Sequence, residues 1–129
     1  MTIKYNILFR ACDKVESVHK VSRPFSLTKI QIIKVSFFSI YNAMQGKAYK
    51  FHIIGDDLSQ DLLTFFKSFN DVKVDNHILG SAQKSLQSQI DIALNLPNDE
   101  WVYMCEDDYL HTPYSFKFIT EFIENKEKY

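Results

Sequence analysis

Cysteine is nearly absent from this sequence: its 129 residues contain two, Cys12 and Cys105. Their spacing fits neither a zinc site nor a disulfide framework, so both read as reduced thiols packed in the core of a cytosolic protein. An excess of one charge is also lacking. Fifteen Lys and Arg stand against sixteen Asp and Glu, a formal net charge of -1. That balance gives no general pull toward nucleic acid or an anionic membrane. No stretch approaches the roughly 20 apolar residues of a membrane helix. Lys4 is followed by too short an apolar run for a signal peptide. The expected location is cytoplasmic, with peripheral attachment to a membrane left open. Internal repeats and low-complexity segments are missing too.

What is present is apolar and aromatic: 46% hydrophobic residues and 15% aromatic ones. One domain over residues 1–129 with one core is expected. Ile3 to Phe9 has the β-branched and large apolar residues of a buried strand. Arg10 to Phe25 is polar, contains Arg23-Pro24, and reads as a long loop. Ser26 to Met44 carries Leu27, Ile30, Ile33, Phe37, Ile40 and Tyr41 at near-helical spacing, with Ser26 as N-cap and Gly46 past the end. Tyr49 to Ile54 is a second strand. Ser59 caps a short helix to Phe66 or Phe69, and Val72 to Val74 is a short third strand. Gly80-Ser81 opens a helix whose apolar face is Leu86, Ile90, Ala93 and Leu94. A turn at Leu96 to Asp99 leads into Trp101 to Cys105, expected as a buried central strand. Pro113 suits the first turn of a last helix to about Asn125.

Alternation of strand and helix predicts an α/β fold: a mainly parallel sheet with helices on both faces, a three-layer α/β/α sandwich. Such sheets bind ligands beyond the carboxyl ends of their strands. Those ends carry Arg10, Ala11, Cys12 and Asp13; Asp56 and Asp57; Asp75, followed by Gly80, Ser81 and Lys84; and Glu106, Asp107 and Asp108. A rim so rich in carboxylates calls for a counter-charge, and Mg²⁺ or Mn²⁺ shared with substrate phosphates fits oxygen ligands best. Each signal also has a plainer reading. Asp56-Asp57 before Ser59 is equally turn and cap chemistry, Asp13 suits a solvated loop, and Asp75-Asn76 a turn. His111 reads as a surface residue or a support rather than a ligand. Lys84 and Arg10 are placed to meet phosphate, each on weak grounds alone. Three adjacent acids directly after an apolar strand are harder to explain as a solvated turn.

Four segments in this order, "ILFRACDK" with "SRPFSLTKIQIIKVSFFSIYNA", "YKFHIIGDDLSQD", "ILGSAQKSLQSQIDIAL" and "WVYMCEDDYLHTP", resemble the nucleotide-binding half of a GT-A glycosyltransferase, most like the family 2 type. The acidic motif, written D-x-D in that family, stands here as E-D-D. The resemblance covers most of the chain and implies a Rossmann-like GT-A fold. It also implies a divalent metal, Mn²⁺ or Mg²⁺, and a nucleotide-diphosphate sugar as donor, a UDP-sugar being favoured. By the same analogy Asp108 binds the metal, with Glu106 as second metal contact. Asp107 and Glu106 face ribose or metal-bound water, and Asp56 or Asp57 faces base or ribose. Ala11 and Asp13 lie along the nucleoside, and Ser81 and Lys84 line the same pocket. The acceptor, whether glycan, lipid or protein, is left undefined. The half of the family that binds it and supplies the general base is expected to be absent, so no catalytic base is named. Self-association or a partner chain is a corollary. A non-catalytic nucleotide-binding module of the same fold, and a phosphoacceptor receiver domain, are the competing readings.

Overall fold

The structure is a computed structural model that describes residues 2–14 and 23–128. Residues 15–22 of the expected long loop lie outside the described residues. The first strand, β1, spans Lys4–Ala11. Side chains alternate along it: Tyr5, Ile7, Phe9 and Ala11 enter the main core, and Asn6, Leu8 and Arg10 face the other way. The other strands are β2 (Ala48–Asp56), β3 (Val72–His77) and β4 (Trp101–Glu106). All pairings are parallel, in the order β3-β2-β1-β4. The helices are α1 (Lys29–Met44), α2 (Gln60–Lys67), α3 (Ala82–Leu94) and α4 (Ser115–Glu124), with short 3-10 turns at Pro24–Ser26 and Lys126–Lys128.

Helices α1, α2 and α4 cover the apolar face. Phe37 of α1 is fully buried and meets Phe51, Phe66 and Phe69 edge-on at centroid distances of 5.2, 5.3 and 4.9 Å. Phe116 of α4 closes the β4 side against Tyr5 and Tyr103. Each such ring contributes about 2–3 kcal/mol by leaving water. Among the described helices α3 alone lies on the opposite face, and its hydrogen bonds to the sheet are polar anchors. Gln89 Nε2 donates to Leu8 O at 2.8 Å and Cys105 O at 3.3 Å, and Arg10 Nη1 donates to Ala82 O at 2.8 Å. The fold is therefore α/β, an all-parallel sheet with helices on both faces, compatible with a Rossmann-like arrangement.

Local chemistry accounts for most boundaries. Ser59 caps α2 as expected, accepting from Leu62 N, and Ser81, expected at the opening of α3, is its cap and accepts from Lys84 N. Gly46 takes the left-handed conformation just past α1 (φ 82°). Ser26 is not the cap of α1. Phe25 and Ser26 are themselves left-handed, and Thr28 makes a capping box with Gln31 instead. Strand β3 runs on through Asp75 and Asn76, expected as a turn, because both continue to pair with β2. Pro113 falls before the last helix, in the turn that leads to Ser115.

Two expectations about burial are overturned. Strand β4 is an edge strand, and Trp101 and Met104 stand 41% and 47% exposed. The apolar stripe of α3 does not seat the helix. Ser85 and Gln89 are buried, while Leu86, Ile90 and Leu94 are exposed: the helix sits over buried Leu8 and Ile54 and is turned so that Gln89 reaches the backbone carbonyls of Leu8 and Cys105.

Candidate functional site at the β1–β4 crevice

The path of the chain locates the site. From β1 it steps outward through α1 to β2 and through α2 to β3, with both helices on one face. It then returns through α3, on the other face, to place β4 on the far side of β1. The winding reverses between β1 and β4. Open parallel sheets take their ligands in the crevice at such a reversal, beyond the carboxyl ends of the strands. Here those ends are Ala11-Cys12-Asp13 and Glu106-Asp107-Asp108.

The two loops are joined directly: Cys12 N donates to Asp107 Oδ2 at 2.9 Å. Burial pushes the Asp107 carboxyl above the usual carboxylate range. The Cys12 bond and the nearby Lys29 ammonium oppose that rise, and the neighbouring Asp108 adds to it. Lys29, at the first turn of α1, belongs to the site and escaped sequence reasoning, because nothing local ties a helix-start lysine to a strand 70 residues later. Asp108 is exposed, and its carboxylate meets no hydrogen-bonding or ion-pairing partner among the described residues.

The other acids already have protein partners. Glu106 forms an ion pair with Arg10 on the α3 side of the sheet. Asp56 is buried, accepting from Leu79 N at 2.7 Å and from Gly80 N at 3.1 Å, and so clamps the approach to α3. Asp13 Oδ1 accepts from Ser59 N at 3.1 Å and ties the loop after β1 to the start of α2. Asp57 takes a left-handed conformation (φ 47°), which Asp tolerates better than most residues. It pairs with Lys14 at 3.0 Å. Asp75 pairs with His52 at 2.8 Å. Ala11 is buried opposite Gly55, where an added Cβ would stand 2.8 Å from Asn76 Oδ1. Ser81 and Lys84 are exposed at the start of α3, the Ser81 hydroxyl engaged as a cap.

The structure thus brings Asp107, with Asp108 next to it, against the backbone of Cys12, and directs the Asp13 carboxylate to Ser59 N at the start of α2. It directs Glu106 to Arg10 and Asp56 to the β3–α3 loop. His111 is a packing residue: its Nε2 lies 2.8 Å from the Tyr103 hydroxyl, and its N–H donates to Ser39 Oγ. Cys105 is buried and its thiol is pushed up to about 12, chiefly by desolvation. Cys12 is half-buried. A cavity of about 330 Å³ opens beside the Arg10–Glu106 pair, between α3 and the outer edge of β4.

No group of three or more His, Cys, Asp and Glu is arranged to hold a metal ion among the described residues. A cation shared with substrate phosphates needs fewer protein ligands than that. The free Asp108 carboxylate beside the anchored Asp107 suits such a shared ion, whereas Glu106 would first have to leave Arg10. No described helix is long and apolar enough to cross a membrane. Comparison of the chain with protein-family models, curated proteins and solved structures finds no match.

Proposed function

We propose that this chain binds a nucleotide-diphosphate sugar together with Mg²⁺ or Mn²⁺ in the β1–β4 crevice and serves glycosyl transfer to an acceptor. The observation that carries the reading is the coincidence of the winding reversal with the acidic motif. The crevice favoured by topology is the one where Asp107 and Asp108, after β4, stand against the loop of Cys12, after β1. Asp108, open and unengaged, holds the cation. Asp107 and the Cys12 amide fix the two loops against each other, so the ribose meets a rigid rim. Ala11 and Asp13 border the nucleoside, with Asp57 and Lys14 at its outer side. A divalent cation held at Asp108 would supply stabilisation for the negative charge that develops on a departing diphosphate.

Calorimetry with UDP, in Mn²⁺ and then in EDTA, tests this. Binding should be at least tenfold tighter with the metal, and Asp108→Ala should erase the difference. Absence of metal-dependent binding for UDP, GDP and the other nucleoside diphosphates sinks the reading. Turnover is read separately, as release of the diphosphate from nucleotide sugars.

A further inference from the structure

We infer that two copies of this chain associate through the outer edge of β4. The two strands run antiparallel across a two-fold axis, and the α3 stripes of the two copies meet above the seam. The two edges of the sheet differ in the way that matters for pairing. Strand β3 presents Lys73, Asp75 and His77, and charge on an edge strand deters another strand. Strand β4 reads WVYMCE, with no Lys and no Pro. Its outer row of N–H and C=O groups meets no strand among the described residues. The single acid of the strand, Glu106, is paired with Arg10, so a second copy brings no uncompensated charge to the seam.

The apolar flank of α3 lies on the same side. Leu86 lines one cavity with Met104 of β4, and Ile90 and Leu94 continue from Leu86 at four-residue steps. Together with Tyr109 these residues are 36% to 77% exposed. At roughly 200 Å² for a large side chain, half of it free, five of them offer about 500 Å² per copy. Each partner of a standard complex covers about 600–1,000 Å², and the backbone edge of β4 adds to the side chains. The patch also sits at the upper end of what a monomer leaves in water, about 300–600 Å².

Symmetry selects a second copy as the occupant. Rotation by 180° about the sheet normal sets β4 beside its equivalent and keeps α3 on the same face in both copies. Strand then meets strand and stripe meets stripe in one isologous contact. A lone extended peptide would satisfy the strand edge and leave Ile90 and Leu94 wet.

Analytical ultracentrifugation of the intact chain, from low to high micromolar, should show a concentration-dependent species of twice the 15.2 kDa chain mass. Met104→Lys should weaken it at least tenfold, with far-UV circular dichroism unchanged. Leu94→Lys, at a more exposed position, serves if the first variant does not fold. Lys73→Thr, on the opposite edge, should leave association as it is. Hydrogen exchange of the outward amides of β4 should slow as concentration rises. A chain that stays monomeric throughout overturns the inference. So does a dimer that ignores both lysine variants and leaves β4 unprotected.

Discussion

Asp107 carries the tension of the site in one side chain. Its charge is held out of water, and its partners, the Cys12 amide and Lys29, compensate only in part. A carboxyl raised in this way favours the protonated form when folded. The burden on stability is therefore present above its raised value and relieved as pH falls through it. Asp107→Asn keeps an acceptor for Cys12 N and removes the charge. At pH 7 the variant should melt at the wild-type temperature or a few degrees above it, while losing at least tenfold in affinity for UDP with Mn²⁺. Differential scanning fluorimetry and calorimetry on the same samples check both halves. A variant destabilised by more than about 1 kcal/mol would make Asp107 a structural anchor. At this scale the sequence was readable where chemistry is local. Ser59 announces itself as a cap, and Ser81 as a helix start, because a hydroxyl before a helix bonds its own first turn. The acids were readable as a group and not one by one. Whether Asp56 meets the Gly80 amide, or Glu106 meets Arg10, depends on which strands lie side by side.

Among the elements, α3 departs most from expectation, and the reason is physical. The 3.6-residue period finds the apolar side of a helix and does not say what that side covers. Here the sheet face beneath mixes buried Leu8 and Ile54 with Arg10, His52 and Asp56, and Ser85 and Gln89 make the contact, Gln89 through the carbonyls of Leu8 and Cys105. The helix is held at its head as well, by Arg10 on Ala82 O and by Asp56 on the two amides of the preceding loop. Asp56→Ala takes the shared carboxylate acceptor from those two amides and should cost about 1.5–3 kcal/mol, the worth of hydrogen bonds to a charged group. Amide exchange resolved by NMR should show Leu79 and Gly80 losing most protection and the amides of α1 losing least. Uniform loss across the chain would mean that the clamp supports the whole sheet. Strand β4 was legible as a strand from its composition. Its place at the edge was not, since a run of apolar residues is the same signature in the middle of a parallel sheet and beside an interface.

For the molecule as a whole, acid should weaken the fold in a defined window. Burial lowers the His111 pKa from the ordinary 6.5. Folding thus favours the neutral ring, and its contribution is complete above about 6.5 and declines as pH falls toward the lower folded value. Urea midpoints measured between pH 7 and 5 should drop in the wild type and drop less in His111→Gln, which keeps an acceptor for the Tyr103 hydroxyl. Equal slopes would take His111 out of the acid response. The α/β class and the parallel sheet were legible because strands and helices alternate. The strand order was not, since nothing in the local pattern tells β4 to cross back past β1.

That return has a consequence for how the chain comes into being. Asn6 of β1 bonds Glu100, at the threshold of β4, across 94 positions of sequence. During synthesis from the amino terminus, β1, β2 and β3 can assemble with α1 and α2 while the last strand is still inside the ribosome. For that interval one side of β1 is a bare template, with Ile7, Leu8 and Phe9 along it. The β1–β4 pairing is thus the latest and most distant strand pairing among the described residues. The same act that buries β1 assembles the crevice, so a nascent chain gains its candidate ligand site only once β4 has paired.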